Sequence, residues 1–219
     1  MITRPDCAFA IGILSQFIQN PGNAHWEALK WVIVYLGATK DLWLTFGGRS
    51  QKLVEGFCDS NYANQQDHHS IVGFAYHFGQ GAISWSSKKQ QVIALSTVKA
   101  EYIAQAHAAK EALWLRSFVN EIRKEPVRAI TINSDNQGAI ALLKDNKFHS
   151  RTKHIDIRYH FICEAVEDGK VSVVYIPTDE NPADIFTKPL AKAKFRGFVE
   201  LLGLGAIDEN IGSKKERGR

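Results

Sequence analysis

The chain has 219 residues, 45% hydrophobic and 23% charged, a composition that supports a packed core and excludes wholesale disorder. Lys plus Arg outnumber Asp plus Glu by 27 to 23, a mild basic excess that permits a phosphate-bearing partner without demanding one. Three separated cysteines, Cys7, Cys58 and Cys163, with no CxxC pair, argue against a disulfide scaffold or a cysteine-zinc site and suit a reducing, intracellular compartment. The longest apolar runs are too short to span a bilayer and the first residues contain no secretory core, so no membrane partner is expected.

Pro5-Asp6 starts a first helix that runs through Phe9, Ile13 and Phe17 and breaks at Asn20-Pro21-Gly22. Asn23 caps a second helix, with Trp26, Leu29, Ile33 and Leu36 on one stripe and Gly37 at its end. These two helices and a short strand over 42–46 bury little surface alone and call for a partner. Gly47-Gly48-Arg49-Ser50 is the expected boundary, dividing a 1–50 segment from a 51–205 domain that ends in a polar, basic, disordered tail over 206–219.

Strands are predicted over 53–58, 71–78 and 82–87, the last two joined by Gly79-Gln80-Gly81 as a hairpin. A long helix follows over 97–123, stopped before Glu125-Pro126, then a strand over 127–133 and a helix over 136–144. A basic loop over 147–153 leads to a helix over 155–167, a strand over 171–176, a loop over 177–181 and a final helix over 183–202. This order predicts an α/β fold: a mixed sheet flanked by helices, with the later strands parallel to one another.

Four acids stand out against that frame. Asp59 and Asp135 each end a strand, and if those strands are parallel neighbours both carboxylates emerge at one sheet edge. A strand-end turn or helix cap explains either one taken alone. Glu101 continues the apolar stripe Val119, Leu115, Ala112, Ala108, Ala104, so the helix face that packs on the sheet carries a carboxylate into buried ground. Asp184 opens the final helix, where a first-turn acid is favoured on its own account, yet the helix starts at the same sheet edge. Four convergent carboxylates without Cys or paired His call for hard divalent ions, and two such ions about 3.5–4 Å apart can clamp the oxygens of an in-line phosphoryl displacement.

Other groups have plainer roles. His154 and His160 flank Asp156 at a spacing unsuited to two zinc ligands on one helix turn, and read as capping or hydrogen-bonding groups. His68-His69 reads as solvated loop. Trp26, Trp31 and Trp43 read as core rather than as base-stacking platforms. Trp85, beside Lys88-Lys89, is the better nucleic-acid candidate, with core again its plainer role.

The same residues carry a family likeness. Cys58-Asp59-Ser60 with Tyr62-Ala63, the run Gly81-Ala82-Ile83-Ser84-Trp85-Ser86-Ser87-Lys88-Lys89-Gln90, Ala94-Leu95-Ser96-Thr97 and Ala100-Glu101-Tyr102 occur in family order. Asp135-Asn136, Arg151-Thr152-Lys153-His154-Ile155-Asp156-Ile157 and Asn181-Pro182-Ala183-Asp184-Ile185-Phe186-Thr187-Lys188-Pro189-Leu190 follow. On these motifs residues 51–203 closely resemble the ribonuclease H domain of copia-type retrotransposon Pol polyproteins. Residues 4–46, with Arg4-Pro5-Asp6 and His25-Trp26, resemble the end of the reverse transcriptase and the segment joining it to that domain.

The resemblance implies a ribonuclease H-like mixed five-stranded sheet preceded by a short helical segment. It implies Asp59, Glu101, Asp135 and Asp184 as ligands of two Mg²⁺ ions, with Mn²⁺ an alternative. The implied reaction is endonucleolytic hydrolysis of the RNA strand of an RNA–DNA hybrid, leaving 3′-hydroxyl and 5′-phosphate ends, with water and no protein group as nucleophile. Lys88, Lys89, Asn136, Arg151, Lys153 and Arg158 are the expected nucleic-acid contacts. The other implied partner is a reverse transcriptase domain of the same polyprotein, in the cytoplasm or in virus-like particles. No polymerase activity is expected from this fragment.

The sequence also departs from the family. Lys99 stands where most relatives have Glu, Asn61 where they have a second Asp, and His68-His69 where they have basic residues. The loop over 177–181 offers no equivalent of the loop His of cellular ribonucleases H. These departures favour a second reading, a catalytically impaired hybrid- or RNA-binding remnant of a degenerate element, whereas the intact acidic quartet favours the enzyme.

Overall fold

The structure is a computed structural model that describes residues 3–46, 53–63, 67–123, 127–144 and 161–206. A 3-10 turn, Pro5–Cys7, enters α1 (Ala8–Ser15), followed by α2 (Asn23–Ala38) and β1 (Leu42–Leu44). Then come β2 (Val54–Asn61), β3 (Ile71–Phe78), β4 (Gly81–Lys89) and α3 (Thr97–Ile122). The chain continues through β5 (Ile130–Ser134), α4 (Gln137–Lys144), α5 (Phe161–Glu167), β6 (Val171–Tyr175), α6 (Lys192–Leu201) and β7 (Leu204–Ala206).

Five strands form the main sheet in the order β4-β3-β2-β5-β6. The β2–β3 and β3–β4 pairs are antiparallel, while β5 runs parallel to β2 and β6 parallel to β5, giving the mixed sheet expected from the element order. Gly79 takes φ +66° at the first position of the β3–β4 turn, where a type II′ hairpin turn wants glycine. A second, two-stranded sheet pairs β1 antiparallel with β7.

The sheet is covered on both faces. Ser96 caps α3 by accepting from the Lys99 amide at 3.3 Å. The stripe Ala100, Ala104, Ala108, Ala112, Leu115 and Val119 is buried against Tyr76, Ile130, Ile132 and Val171. Alanines on this face let the helix axis lie close to the strands, and the Tyr76 hydroxyl donates to the Ala108 carbonyl at 2.6 Å. On the opposite face Ala75, Ile185, Phe186, Phe198, Leu202 and Leu204 form a second core, with Leu42 and Leu44 packed against it.

Several expectations are corrected. The predicted final helix over 183–202 is two elements, a 3-10 turn at Pro182–Phe186 and then α6. Pro189 forces the break, because a proline ring disfavours helical backbone in the residue before it. The predicted stripe of α2 is also turned. Val32 is its buried residue, whereas Trp26 is 57% exposed and Ile33 57% exposed. Trp31 at 72% and Trp43 at 55% exposure are likewise not core. Among the described residues, the Val32 and Tyr35 side of α2 faces Cys7, Ile185 and Phe195, while His25 stacks on Phe17 of the preceding segment with ring centroids 4.0 Å apart. Strand β5 begins three residues later than predicted because the Val127 amide is bound to Asn120 Oδ1 at 2.6 Å, tying it to the end of α3. The predicted helix over 155–167 is seen as Phe161–Glu167. Its first half, the basic loop 147–153, the boundary 47–50 and the tail from 207 lie outside the described residues. Among the described residues no helix is long and apolar enough to cross a membrane.

Candidate active site

Strand register builds the site. Cys58 pairs with Ser134 in the parallel β2–β5 ladder, so the next residues, Asp59 and Asp135, stand side by side. Asp59 is still inside β2, which runs on to Asn61 rather than ending at residue 58 as predicted, and Asp135 is just past the end of β5. Glu101 lies one turn into α3, on its sheet-facing stripe. Carboxylate oxygens of Asp59, Glu101 and Asp135 all lie within 4.8 Å of one another, contributed by two strands and a helix far apart in sequence. Asp59 and Glu101 are buried and Asp135 is half-buried.

Each acid is held from behind. The Ser60 amide donates to Glu101 Oε1 at 3.2 Å, and Glu101 Oε2 is buried with no hydrogen-bond partner among the described residues. Thr178 donates its hydroxyl to Asp135 Oδ2 at 2.7 Å. Thr187 donates its hydroxyl to Asp59 Oδ2 in a very short hydrogen bond. Asp184 sits in the Pro182–Phe186 turn, fully buried, with both oxygens in ion pairs. Lys188 Nζ lies 2.8 Å from its Oδ1, and Lys194 Nζ lies 3.1 Å from its Oδ2. Lys188 also reaches to 3.8 Å from Asp59 Oδ2, linking the fourth acid to the other three.

The electrostatics show a site short of positive charge. Burial pushes the Asp59 carboxyl up to about 6, with Lys188 pulling it down and Asp184 adding to the rise. Burial, then the Asp59 and Asp135 charges, push Glu101 up to about 9. Burial depresses the Lys188 ammonium, but Asp59 and Asp184 outweigh it and hold Lys188 above the ordinary lysine range. A buried carboxylate oxygen without a donor, beside two more carboxylates, fits a hard divalent cation bound by oxygen alone.

The expected nucleic-acid contacts fall in two groups. Ladder register carries Ser60 to Val72 and on to Lys88, and Asn61 to Ile71 and on to Lys89, so both lysines stand at the site's end of the sheet. Lys88 is exposed and Lys89 pairs with Asp67. Asn136, next to Asp135, accepts from the Ala139 amide at 2.9 Å and so caps α4. Arg151, Lys153, Arg158 and the pair His154 and His160 lie outside the described residues. Trp85 is half-buried against the second core, the plainer of its expected roles. Thr178, Asn181, Thr187, Lys188 and Lys194 support the site. Thr178 and Lys194 were not singled out from the sequence, and Asn181, Thr187 and Lys188 entered there only as part of the family motif, without a role. The i,i+4 spacing of Asp184 and Lys188 is the readable signal for one of them.

The strand order β4-β3-β2-β5-β6, with helices on both faces, is that of a ribonuclease H-like α/β fold. No family model matches the chain. It is 46% identical over 206 residues to the retrovirus-related Pol polyprotein from transposon TNT 1-94 of Nicotiana tabacum, covering 92% of this chain and 15% of that protein. It is 35% identical to the Pol polyprotein from transposon RE2 of Arabidopsis thaliana, covering 96% of this chain and 14% of that protein. Among solved structures, RNase H1 from Halobacterium salinarum matches at 18% identity and a TM-score of 0.42, covering 61% of this chain and 93% of that one. The chain is similar over most of its length to the Pol polyproteins of copia-type retrotransposons and spans about one seventh of the length of these relatives.

Proposed function

We propose that this chain hydrolyses the RNA strand of RNA–DNA hybrids as the ribonuclease H part of a copia-type Pol polyprotein. Asp59, Glu101, Asp135 and Asp184 would hold two Mg²⁺ ions, or Mn²⁺ in their place. The observation that carries the reading is the meeting of Asp59, Glu101 and Asp135 within 4.8 Å at one sheet edge. Divalent ions bound there supply activation of water and neutralisation of charge at the scissile phosphate. The chain's own residues supply placement: Ser60 orients Glu101, Thr178 orients Asp135, and Thr187 orients Asp59.

Lys88, Lys89 and Asn136 flank the acids and are the proposed phosphate and sugar contacts, joined by Arg151, Lys153 and Arg158. Residues 1–50 are read as the end of the reverse transcriptase and its connection, 51–205 as the nuclease domain, and 206–219 as a basic tail. The exposed side chains of Ile18, Trp26, Trp31, Ile33 and Val34 support a reverse transcriptase segment of the same polyprotein as partner. Such a protein would work in the cytoplasm or in particles built from the polyprotein.

The deciding experiment is cleavage of a strand-labelled RNA–DNA hybrid in Mg²⁺, with Asp135→Asn as the matched control. Cleavage of the RNA strand by the natural chain alone supports the proposal. A folded protein that binds hybrid without cutting it supports the remnant reading instead.

A further inference from the structure

Asp184 differs from the other three acids. It is fully buried, and each of its oxygens faces an ammonium: Lys188 at 2.8 Å and Lys194 at 3.1 Å. The two lysines are not equivalent. Lys194 turns away from the triad to a second partner, Asp179, at 3.0 Å. Lys188 leans toward the triad, 3.8 Å from the Asp59 Oδ2 that Thr187 also binds. Asp59 therefore serves two neighbourhoods at once, one shared with Glu101 and Asp135 and one shared with Lys188 and Asp184.

We propose that Lys188 is the resident cation of the Asp59–Asp184 half of the site, so that a divalent ion enters this half only as the Lys188 ammonium withdraws. The inference rests on the metal-dependent reading above. With all four carboxylates ionised, the two lysines leave a deficit that one divalent ion cancels. A first ion at Asp59, Glu101 and Asp135 displaces at most the longer Lys188 contact, 3.8 Å from Asp59, and leaves the 2.8 Å pair to Asp184 in place. A second ion must displace an ion pair already made in buried ground, which costs it affinity. Lys188 has somewhere to go, because its side chain is about one-third exposed and its ammonium can withdraw to solvent. The two halves of the site are thus unequal by construction, and Lys188 sets the difference.

The test is a titration of the full chain with Mn²⁺, without nucleic acid, followed by the paramagnetic signal of free Mn²⁺ and by calorimetry. The natural chain is expected to bind one Mn²⁺ first and a second at least about tenfold more weakly, as expected for an ion that must displace a buried ion pair. Lys188→Met should tighten the second ion by about tenfold or more, the scale of removing a like charge at close range. Lys188→Arg, which keeps the charge, should leave the two affinities apart. Two equal affinities in the natural chain overturn the proposal whatever the variants do. A folded Lys188→Met protein whose second affinity is unchanged, weaker or absent also overturns it, while the metal-dependent reading stands on the first ion. No Mn²⁺ bound by the natural chain or by either variant overturns both.

Discussion

Asn181 Nδ2 donates to the carbonyl of Cys58 at 3.0 Å, fastening the loop that leads to Asp184 onto the strand residue just before Asp59. The same side chain accepts from the Ala183 amide at 3.2 Å, so it also caps the turn that carries Asp184. Asn181 is fully buried, and its removal strands a carbonyl and an amide where water does not reach them. Asn181→Ala is therefore expected to cost about 2–3 kcal/mol in urea unfolding and to lower hybrid cleavage by moving Asp184. A loss below about 0.5 kcal/mol, within the range of ordinary surface changes, would show the link to be incidental.

Gly73 lies across the ladder from Asp59 and beneath the Asp184 turn. A Cβ there would sit 2.6 Å from the Phe186 Cβ, 2.9 Å from the Thr187 Cγ2 and 3.2 Å from the Ala183 carbonyl oxygen. Two of these are short, stiff attachments that cannot swing aside, so the turn itself must lift. Gly73→Ala is expected to destabilise by about 1–3 kcal/mol, the usual range for overpacking. It should also weaken Mg²⁺-dependent thermal stabilisation, because Thr187 and Asp184 move with the turn. Unchanged Mg²⁺ stabilisation in a destabilised variant would separate packing from the site.

Metal-free stability should fall as pH rises. Asp59 and Glu101 are both held above the ordinary carboxylate range, to about 6 and about 9, so the folded protein keeps protons that the unfolded chain has released. Below that range both states are protonated and the folded state carries no penalty. Through the window the unfolded chain binds fewer protons, so stability declines, and the loss is complete once pH passes the folded value of Glu101. Melting in chelator is expected to drop steadily from about pH 5 to about pH 9, and saturating Mg²⁺ should flatten the curve by favouring the ionised acids. Glu101→Gln should remove the part of the decline above about pH 6. A metal-free melting temperature that climbs over this window would contradict the burial of these acids.

The sheet and three of its acids were legible because hydrophobic period is a local matter. Asp59 and Asp135 follow apolar strand runs and Glu101 continues a helical stripe, so period places each acid, and the expected parallel pairing of β2 with β5 brings them to one edge. Asp184 was legible as a residue but not in its setting. The apolar residues after it at helical spacing suggested one long helix, whereas Pro189 divides the segment and the 3-10 turn places Lys188 back over the acid. Thr178 and Thr187 carry no periodic signal, since a hydroxyl that orients a carboxylate from a distant segment leaves no mark in local pattern. The inward face of α2 was misread because hydrophobicity identifies a stripe only when one side of a helix is polar. Trp26, Trp31, Ile33 and Val34 are apolar on the side that this chain leaves exposed.

The N-terminal segment is woven into the rest of the fold. Strand β1 pairs along its length with β7, Leu42 opposite Ala206 and Leu44 opposite Leu204. The Thr45 amide adds a hydrogen bond to the Gly203 carbonyl at 2.9 Å. At the other end of the segment buried Asp6 takes two bonds from Arg4, at 3.0 and 2.7 Å, and one from the Tyr35 hydroxyl at 2.5 Å. These bonds tie the start of α1 to α2, and the cavity behind them is walled by Ile185, Lys188 and Phe195. Removing residues 1–46 would bare the face made by Phe186, Phe198, Leu202 and Leu204, each side chain losing part of the roughly 1.5–3 kcal/mol that full burial is worth. The shortened chain is therefore expected to melt at least about 10 °C lower or without cooperativity, and to bind a hydrophobic dye. A sharp transition within about 2 °C of the full chain, with no dye binding, would show that the carboxylate site and its sheet stand without this segment.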